Sequence, residues 1–295
     1  MATVRTVRRG RRTYHYLSQA YRWNGRSLKR HVYLGTVPPK DLDSARVALD
    51  REVRAATWFV EFDRIRDGFN RRYARLTPTA AARERQDFVE EFTFDTHRID
   101  GSRLTFRETE NLLETGTTPA DRRLQDVKES EAHARLLERL LETPEPVDLT
   151  HLLSWHRELY AGTRPELAGR LRRSEIRVPN SRFAPPRSAD VRPMLVTLVR
   201  DVRASVPAVH PVERAAVFHV RFEQIHPFED GNGPLGRLAM NLLLHQSGYP
   251  MLNIRFSKRR SYFHALERAN ETGNLRPFVL WFCRRYARAL HWCRL

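Results

Sequence analysis

The chain has 295 residues, enough for a substantial core in one large domain with an appendage. Its formal net charge of +17 makes nucleic acids and acidic proteins candidate partners. No run of 18 apolar residues, no hydrophobic signal region and no cysteine motif for zinc occurs, so we expect a soluble cytoplasmic protein with reduced thiols and no membrane association.

Residues 1–40 are predicted to form a small three-stranded antiparallel β-meander. β-branched and aromatic residues alternate in three runs, which are separated at Gly10 and at Asn24-Gly25, a typical hairpin turn. Ten basic residues and no acidic residue precede Asp41. Basic strands with interleaved tyrosines could hold nucleic acid through phosphate contacts and stacking. An adaptor sheet with one solvated face explains the same residues, and both interpretations stay open.

Helical periodicity begins after the sheet. Apolar residues at helical spacing predict one long helix from Asp43 to Arg72 and another from about Ala80 to Ser102. We therefore predict a group of N-terminal helices over residues 41–110. The second helix ends in Thr96-His97-Arg98-Ile99-Asp100-Gly101, and an ordinary glycine cap is one sufficient explanation of that ending.

Residues 111–295 are predicted to form the main helical domain. Amphipathic patterns predict helices over residues 120–142 and 149–160. Farther along, apolar residues alternate around Pro179-Asn180-Ser181, which predicts a short hairpin. A plain surface hairpin is the simplest interpretation of that segment.

The most informative stretch is a polar, glycine-rich loop from His226 to Arg237, with the sequence HPFEDGNGPLGR. It joins an amphipathic helix predicted for residues 211–225 to an almost wholly apolar helix predicted for residues 235–245. Glycines let successive backbone N–H groups converge, and a helix N-terminus adds unpaired donors and a partial positive charge. The loop is therefore suited to binding phosphate.

The side chains of this loop suit phosphate chemistry. His226 can accept a proton near neutral pH, and Asp230 can hold a Mg²⁺ ion that also contacts phosphate oxygens. Asn232 can donate to a phosphate oxygen, Arg237 can reach a terminal phosphate, and Phe228 is expected to face the core. A helix-loop-helix corner is the alternative, but a corner needs one glycine and no such set of converging polar groups.

This stretch resembles the signature of the Fic (filamentation induced by cAMP) family, which is His-Pro-Phe-x-Asp/Glu-Gly-Asn-Gly-Arg-x-x-Arg. The resemblance covers roughly residues 80–290 and implies a mainly α-helical fold. That fold is a Fic-type helical bundle with a short β-hairpin flap, preceded here by the β-meander. The implied activity is transfer of AMP from ATP, with Mg²⁺, to a Ser, Thr or Tyr hydroxyl of a target protein.

One position departs from the family pattern, because Pro234 stands where the family has its first arginine. Proline suits the start of a helix, so the fold should tolerate it. A lost charge-assisted hydrogen bond is worth roughly 1.5–3 kcal/mol, or on the order of ten- to a hundredfold in rate. We therefore expect weakened transfer.

The resemblance implies roles for individual positions. His226 would be the general base and Asp230 the metal ligand, while the amides around Gly231 and Gly233 would cradle phosphate. The nucleotide-binding residues would be Gly231, Asn232, Gly233, Gly236, Arg237, Tyr262, Phe263 and Asn270. Tyr262 or Phe263 would stack on a purine and Asn270 would contact its edge, although the aromatics could equally be core residues. The flap that aligns the target's hydroxyl would include Ile176, Arg177 and Val178.

The segment Thr96 to Gly101 resembles the family's inhibitory motif, Ser/Thr-x-x-x-Glu-Gly/Asn, with Asp100 in place of glutamate. The resemblance implies that Asp100 pairs with Arg237 and hinders placement of the γ-phosphate. Because aspartate is shorter by roughly 1.5 Å, we expect a longer or water-bridged ion pair and a weaker restraint.

Two other functions stay open at this point. A protein of the same fold could remove AMP from a modified target, with Asp100 orienting the attacking water. The chain could also be a nucleic-acid-binding regulator whose basic N-terminal sheet holds nucleic acid and whose nucleotide site is degenerate. Family members with an upstream inhibitory helix often dimerise, so a homodimer stays open as well.

Overall fold

A computed structural model describes residues 2–23, 25–178, 181, 183–206 and 209–294, with only the backbone of Arg294. Contacts divide the chain into two compact units, Met1–Arg64 and Ile65–Leu295. The first unit joins the predicted sheet to the helix that follows it, and the second unit contains the glycine-rich loop.

The first unit confirms the predicted meander. Strands β1 (Thr3–Arg9), β2 (Arg12–Trp23) and β3 (Arg26–Gly35) form one antiparallel sheet in that order. Helix α1 (Asp43–Arg54) packs on β2 and β3. Asn24, in the predicted second turn, lies outside the described residues.

The predicted long helix after the sheet is interrupted. A π-helical segment (Ala55–Phe59) separates α1 from helix α2 (Val60–Tyr73). The hydroxyl of Thr57 donates to the carbonyl of Val53 at 2.7 Å, which occupies an acceptor of the regular helical ladder. Periodicity alone does not reveal such an insertion.

Among its described residues the second unit contains helices and connecting loops but no strand, which confirms the prediction of a mainly α-helical fold. Short 3₁₀ turns occur at Phe256–Lys258 and His291–Arg294. Its helices are α3 (Pro78–Ile99), α4 (Phe106–Thr115), α5 (Leu124–Glu142), α6 (Leu149–Tyr160), α7 (Ser188–Ala204), α8 (Pro211–Ile225), α9 (Asn232–His245), α10 (Arg259–Thr272) and α11 (Arg276–Ala289).

Helix α9 is the centre of the second unit. Twelve of its 14 residues are buried, and α3, α5, α6 and α8 all pack against it. The helix begins at Asn232, three residues earlier than predicted, because Gly231 serves as its N-cap and Pro234 fits its first turn. The loop before α9 therefore opens from the middle of the bundle.

The end of α3 is shaped by a tight reversal. Asp100 is the C-cap residue, and Gly101 follows with φ of 102°, a conformation that favours glycine. Helix α4 then starts with a capping box between Thr105 and Glu108. This reversal fixes where the side chain of Asp100 projects.

The predicted flap hairpin is not formed by the residues that the structure describes. Ile176, Arg177 and Val178 have no strand partner, and the predicted turn residues Pro179 and Asn180 lie outside the described residues. Other contacts hold the segment, since the Ser181 hydroxyl donates to Glu267 at 2.5 Å. The described residues Ile176 to Val178 have an irregular backbone.

Two further expectations concern membranes and cysteines. Across the described part of the chain, no helix combines the length and apolar character needed to cross a membrane. Cys283 and Cys293 are both buried and are not joined in a disulfide.

Candidate active site

His226 ends helix α8 in an unusual backbone conformation. Its φ is 47°, and no other described residue except glycine has a positive φ. Left-handed backbone is costly for a side chain with a Cβ, so surrounding contacts must hold it. One such contact comes from Arg172, whose Nε donates to the His226 carbonyl at 2.8 Å. The chain reverses at this residue and enters the loop.

The His226 imidazole is suited to accept a proton. Burial lowers the pKa of His226 to about 4, so the ring is neutral at neutral pH. Its Nδ1 atom lies 4.0 Å from a carboxylate oxygen of Glu223, and the Glu223 backbone acts against burial by raising the pKa of the ring. The ring lines the same cavity as the N-terminus of α9.

Arg172 is a buried cation that the sequence did not mark as important. Its side chain is fully buried and donates to the carbonyls of Ser174 and His226, while its backbone N–H donates to Pro227. These bonds connect the flap segment to the loop after α8. In the sequence it is one of several arginines between residues 170 and 182, so no signal distinguishes it.

A second support comes from His156 in α6. Its ring stacks on Phe228 with centroids 3.8 Å apart, and its Nε2 donates to the carbonyl of Asp230 at 3.0 Å. Its Nδ1 accepts from Gly169, and burial lowers the pKa of His156 to about 3, which keeps the ring neutral. The sequence offered one clue, because His156 shares a helix face with the apolar Leu152.

Asn232 has a structural task in the loop that the sequence did not indicate. Its Oδ1 accepts a hydrogen bond from the Phe228 N–H at 2.9 Å. Its Nδ2 donates a hydrogen bond to the Phe228 carbonyl at 2.8 Å. The side chain lines the cavity but closes the loop on itself. The Nδ2 group carries a second N–H that these bonds do not use, so the role of Asn232 as a phosphate donor stays a prediction.

The three glycines of the loop and helix do different work. A Cβ at Gly231, where φ is 79°, would lie 2.3 Å from the ring of Tyr160. A Cβ at Gly233 would lie 2.6 Å from Asp100. Gly236 does not line the cavity. A Cβ at this position would lie 3.0 Å from the ring of Phe222 on α8. Gly236 thus permits close packing of α8 on α9, and its nucleotide-binding role stays a prediction.

Arg237 is almost completely buried and fully engaged. Its Nη2 lies 2.5 Å from a carboxylate oxygen of Asp100 and donates to the Thr96 carbonyl at 3.1 Å. Its Nε donates to the Thr96 hydroxyl at 3.2 Å. The expected long or water-bridged contact with Asp100 is wrong. The bare Cα of Gly233 lets the end of α3 approach closely, which offsets the shorter side chain.

Asp230 and Arg164 form an ion pair at the edge of the cavity. Asp230 is 58% exposed and its other oxygen accepts from the Gly231 N–H at 2.7 Å. No group of three or more metal-binding side chains occurs in the described part of the chain. A lone, exposed carboxylate nevertheless fits Mg²⁺, which commonly takes one or two carboxylates together with substrate phosphates and water.

The two aromatic candidates for base stacking are not equivalent. Tyr262 is 1% exposed, and its hydroxyl bonds Nε2 of His219 at 2.8 Å. Phe263 is 46% exposed and lines the cavity, so of the two it is the ring with a free face. Asn270 also lines the cavity, and its buried Oδ1 has no partner among the described residues.

One cavity of about 1030 Å³ brings most of these residues together. Thr96 and Gly236 lie outside its lining. The predicted residues that line it are Asp100, Gly101, Ile176, Arg177, Val178, His226, Asp230, Gly231, Asn232, Gly233, Arg237, Tyr262, Phe263 and Asn270. The sequence did not mark Glu223, which also lines the cavity and whose pKa burial raises to about 7.

The sequence matches a known family model. Residues 146–244 match the Fic/DOC family. The chain is 30% identical over 196 residues to a protein adenylyltransferase Fic of Nematostella vectensis, and 31% identical over 221 residues to protein adenylyltransferase fic-1 of Caenorhabditis elegans. These matches cover 65% and 73% of this chain but 45% and 42% of the relatives. The chain thus spans less than half the length of either relative.

Solved structures share the helical fold. A C. elegans Fic-1 fragment, residues 134–508, superposes with a TM-score of 0.69 at 25% identity, covering 85% of this chain and 73% of that one. A Fic domain containing signaling protein from Bacteroides thetaiotaomicron also gives 0.69, at 24% identity, with coverage of 78% and 95%.

Proposed function

We propose, from the premise that residues 146–244 match the Fic/DOC family, that the chain is a protein adenylyltransferase. It would move AMP from ATP to a Ser, Thr or Tyr hydroxyl of a target protein. One observation carries the proposal. The neutral imidazole of His226 shares a cavity with the N-terminus of α9, where unpaired N–H groups and the helix dipole favour phosphate.

In the proposed reaction, His226 removes the proton from the target's hydroxyl as the oxygen attacks the α-phosphorus. A new phosphorus–oxygen bond forms, and the bond to the leaving pyrophosphate breaks. The backbone N–H groups at the start of α9 stabilise the developing charge. Arg172 and His156 act indirectly, because they hold the loop that carries the base.

The proposed cofactor is Mg²⁺, with Asp230 as its protein ligand. When bound, the metal would neutralise charge on the phosphate oxygens. Asp230 is exposed at the cavity edge, so it is accessible to a metal that arrives with the nucleotide. Its present partner, Arg164, also lines the cavity and would be available to phosphate oxygens if Asp230 held the metal.

We further propose that α3 restrains the transfer. Arg237 would otherwise contact a terminal phosphate, but its donors are directed to Asp100, Thr96 and Tyr262. A nucleotide that uses Arg237 must displace Asp100. Removing the Asp100 carboxylate should therefore activate the protein.

Labelling with ATP that carries a radioactive α-phosphate tests both proposals. Self-labelling and labelling of added candidate target proteins would be measured for the unmodified chain, Asp100→Gly and His226→Ala. We expect more label with Asp100→Gly and none with His226→Ala, including in the double variant. Equal labelling in all of them would contradict both role assignments. Release of AMP from a labelled target, without use of ATP, would instead favour the reverse reaction.

A further inference from the structure

The sheet of the first unit has one face that is both basic and aromatic. Side chains of directly paired residues in an antiparallel sheet point to the same side. The register pairs Arg5 with Tyr16 and Tyr16 with Tyr33, and alternation adds Tyr14. We define the tyrosine face by six residues of this side, Arg5, Arg12, Tyr14, Tyr16, Lys29 and Tyr33.

The opposite face of the sheet is the one that packs on the helix. Leu17 is completely buried and Gln19 is 9% exposed. The Trp23 ring meets that of Trp58 with centroids 4.9 Å apart. The core of this unit is therefore built from the opposite face, so the tyrosine face is not needed for it.

Three rings form a cluster on the tyrosine face. Tyr33 is 52% exposed. Its ring centroid lies 5.3 Å from that of Tyr16 and 6.2 Å from that of Tyr14, in tilted arrangements. Tyr14 and Tyr16 are half-buried, so Tyr33 presents most of the free ring surface. Such a cluster on a sheet provides a platform on which unpaired bases can stack.

The charge around these rings is uncompensated. Ten basic residues and no acidic residue precede Asp41. No described carboxylate forms an ion pair with a basic side chain of the three strands. Such a field attracts a polyanion, and β2 alone, with 12 residues, is roughly 40 Å long, enough for several nucleotides.

We propose that the tyrosine face binds single-stranded nucleic acid. Bases stack on the tyrosine rings, and the flanking arginine and lysine side chains contact phosphates. Stacking on the rings requires the faces of unpaired bases, whereas a duplex presents only base edges in its grooves, so a duplex does not fit this surface. An acidic peptide could pair with the basic side chains, but it has no bases to stack on the rings, so it fits the surface less well.

Fluorescence anisotropy on the whole chain tests the proposal without ATP. The probes are labelled 20-residue oligothymidylate, oligouridylate of the same length and a DNA duplex of the same length. We expect at least one single strand to bind tenfold or more tighter than the duplex. For about four phosphate contacts, a fourfold rise in salt should weaken binding roughly fiftyfold. Equal or tighter duplex binding overturns the proposal, as does equally effective competition by polyglutamate or phosphatidylserine vesicles.

Variants separate stacking from charge. Tyr33→Ala should weaken single-strand binding about tenfold, and Tyr33→Phe should leave it nearly unchanged. The double variant Arg5→Gln with Arg12→Gln should weaken binding and flatten its salt dependence. Its matched control, Arg8→Gln with Arg30→Gln, removes the same charge from the opposite face. Equal losses in the two double variants, or no loss with Tyr33→Ala, contradict the proposal. His226→Ala should bind as the unmodified chain does, so this result is independent of transferase activity.

Discussion

Asp100 and Arg237 meet directly, with a carboxylate oxygen 2.5 Å from a guanidinium nitrogen across 137 residues of sequence. The arginine is 1% exposed and the aspartate side chain 35% exposed. The attraction between these two charges is stronger than in an exposed surface pair, because solvent screens a half-buried contact less. The contact therefore links the end of α3 to the start of the helix that would hold phosphate.

This contact predicts that Asp100→Asn raises affinity for ATP. The amide keeps the size of the side chain but removes its charge, so Arg237 is released toward a terminal phosphate at lower cost. A charge-assisted hydrogen bond is worth about 1.5–3 kcal/mol, which corresponds to roughly tenfold or more in Kd. Calorimetric titration of ATP into both proteins measures the difference.

The matched control for this test is Asp95→Asn. Asp95 also lies on α3, but its carboxylate accepts from Asn253 and Phe256 at 2.7 Å. Its substitution should leave the affinity for ATP unchanged. An equal gain in both variants would indicate a general loosening of α3 instead of release of Arg237.

The two neighbouring aromatics of α10 should respond oppositely to substitution. Phe263→Ala removes the exposed ring in the cavity. Stacking of one base on such a ring is worth about 1–3 kcal/mol, so the affinity for ATP should fall about tenfold. The free energy of unfolding should be nearly unchanged, because the ring is exposed. Tyr262→Phe removes the hydroxyl bonded to His219, so stability should fall by about 1–3 kcal/mol with little change in affinity. Titration with ATP and urea unfolding give the two quantities, and the reverse pattern would assign stacking to Tyr262.

These examples show which parts of the site the sequence could predict. The signature placed His226, Asp230 and Arg237 together because their spacing along one loop is local. The burial of Tyr262 depends on α8, which is distant from α10 in sequence and meets it only in the folded bundle. The same applies to Arg172, whose importance arises from carbonyls of a remote loop.

The meander and the buried helix α9 were predictable because alternation and apolar periodicity report burial directly. The flap segment is a weaker case, because alternation over a few residues does not ensure a strand partner, and Ile176, Arg177 and Val178 have none. The π-helical insertion at residues 55–59 was missed, since it shifts the hydrogen-bond ladder while leaving the apolar pattern intact.

Gly231→Ala should destabilise the protein strongly. The residue has a φ of 79°, and a Cβ would lie 2.3 Å from the Tyr160 ring, so the substitution adds a clash to backbone strain. Gly248→Ala is the matched control, because its φ of 75° is similar and no atom lies within 4 Å of the added Cβ. We expect a loss of about 1–2 kcal/mol for the control and at least about 2 kcal/mol more for Gly231→Ala, measured by urea unfolding. Equal losses of unfolding free energy in the two variants would show that the Tyr160 ring moves aside at no measurable cost.

The pH dependence of transfer should report the lowered pKa of His226. The base is active when neutral, so activity should rise with pH through about 4 and be flat above about 5. An unperturbed histidine would place this limb near its usual pKa, roughly 6.5. The measurement is the initial rate of labelling by Asp100→Gly between pH 4 and 8, with the fraction folded followed by circular dichroism at each pH. A limb near 6.5 in folded protein would contradict the burial effect.

Pro234→Arg should accelerate transfer. Pro234 is the third residue of α9 and lines the cavity, so an arginine there could reach the phosphates of a bound nucleotide. The added charge-assisted hydrogen bond is worth about 1.5–3 kcal/mol, or roughly ten- to a hundredfold in rate if it forms in the transition state. The substitution is best made in the Asp100→Gly background, where restraint by α3 is absent. Pro234→Ala in the same background is the control, since it restores the backbone N–H without the charge. If the arginine variant is no faster than the alanine variant, the absence of a cationic contact at position 234 does not limit the rate of transfer.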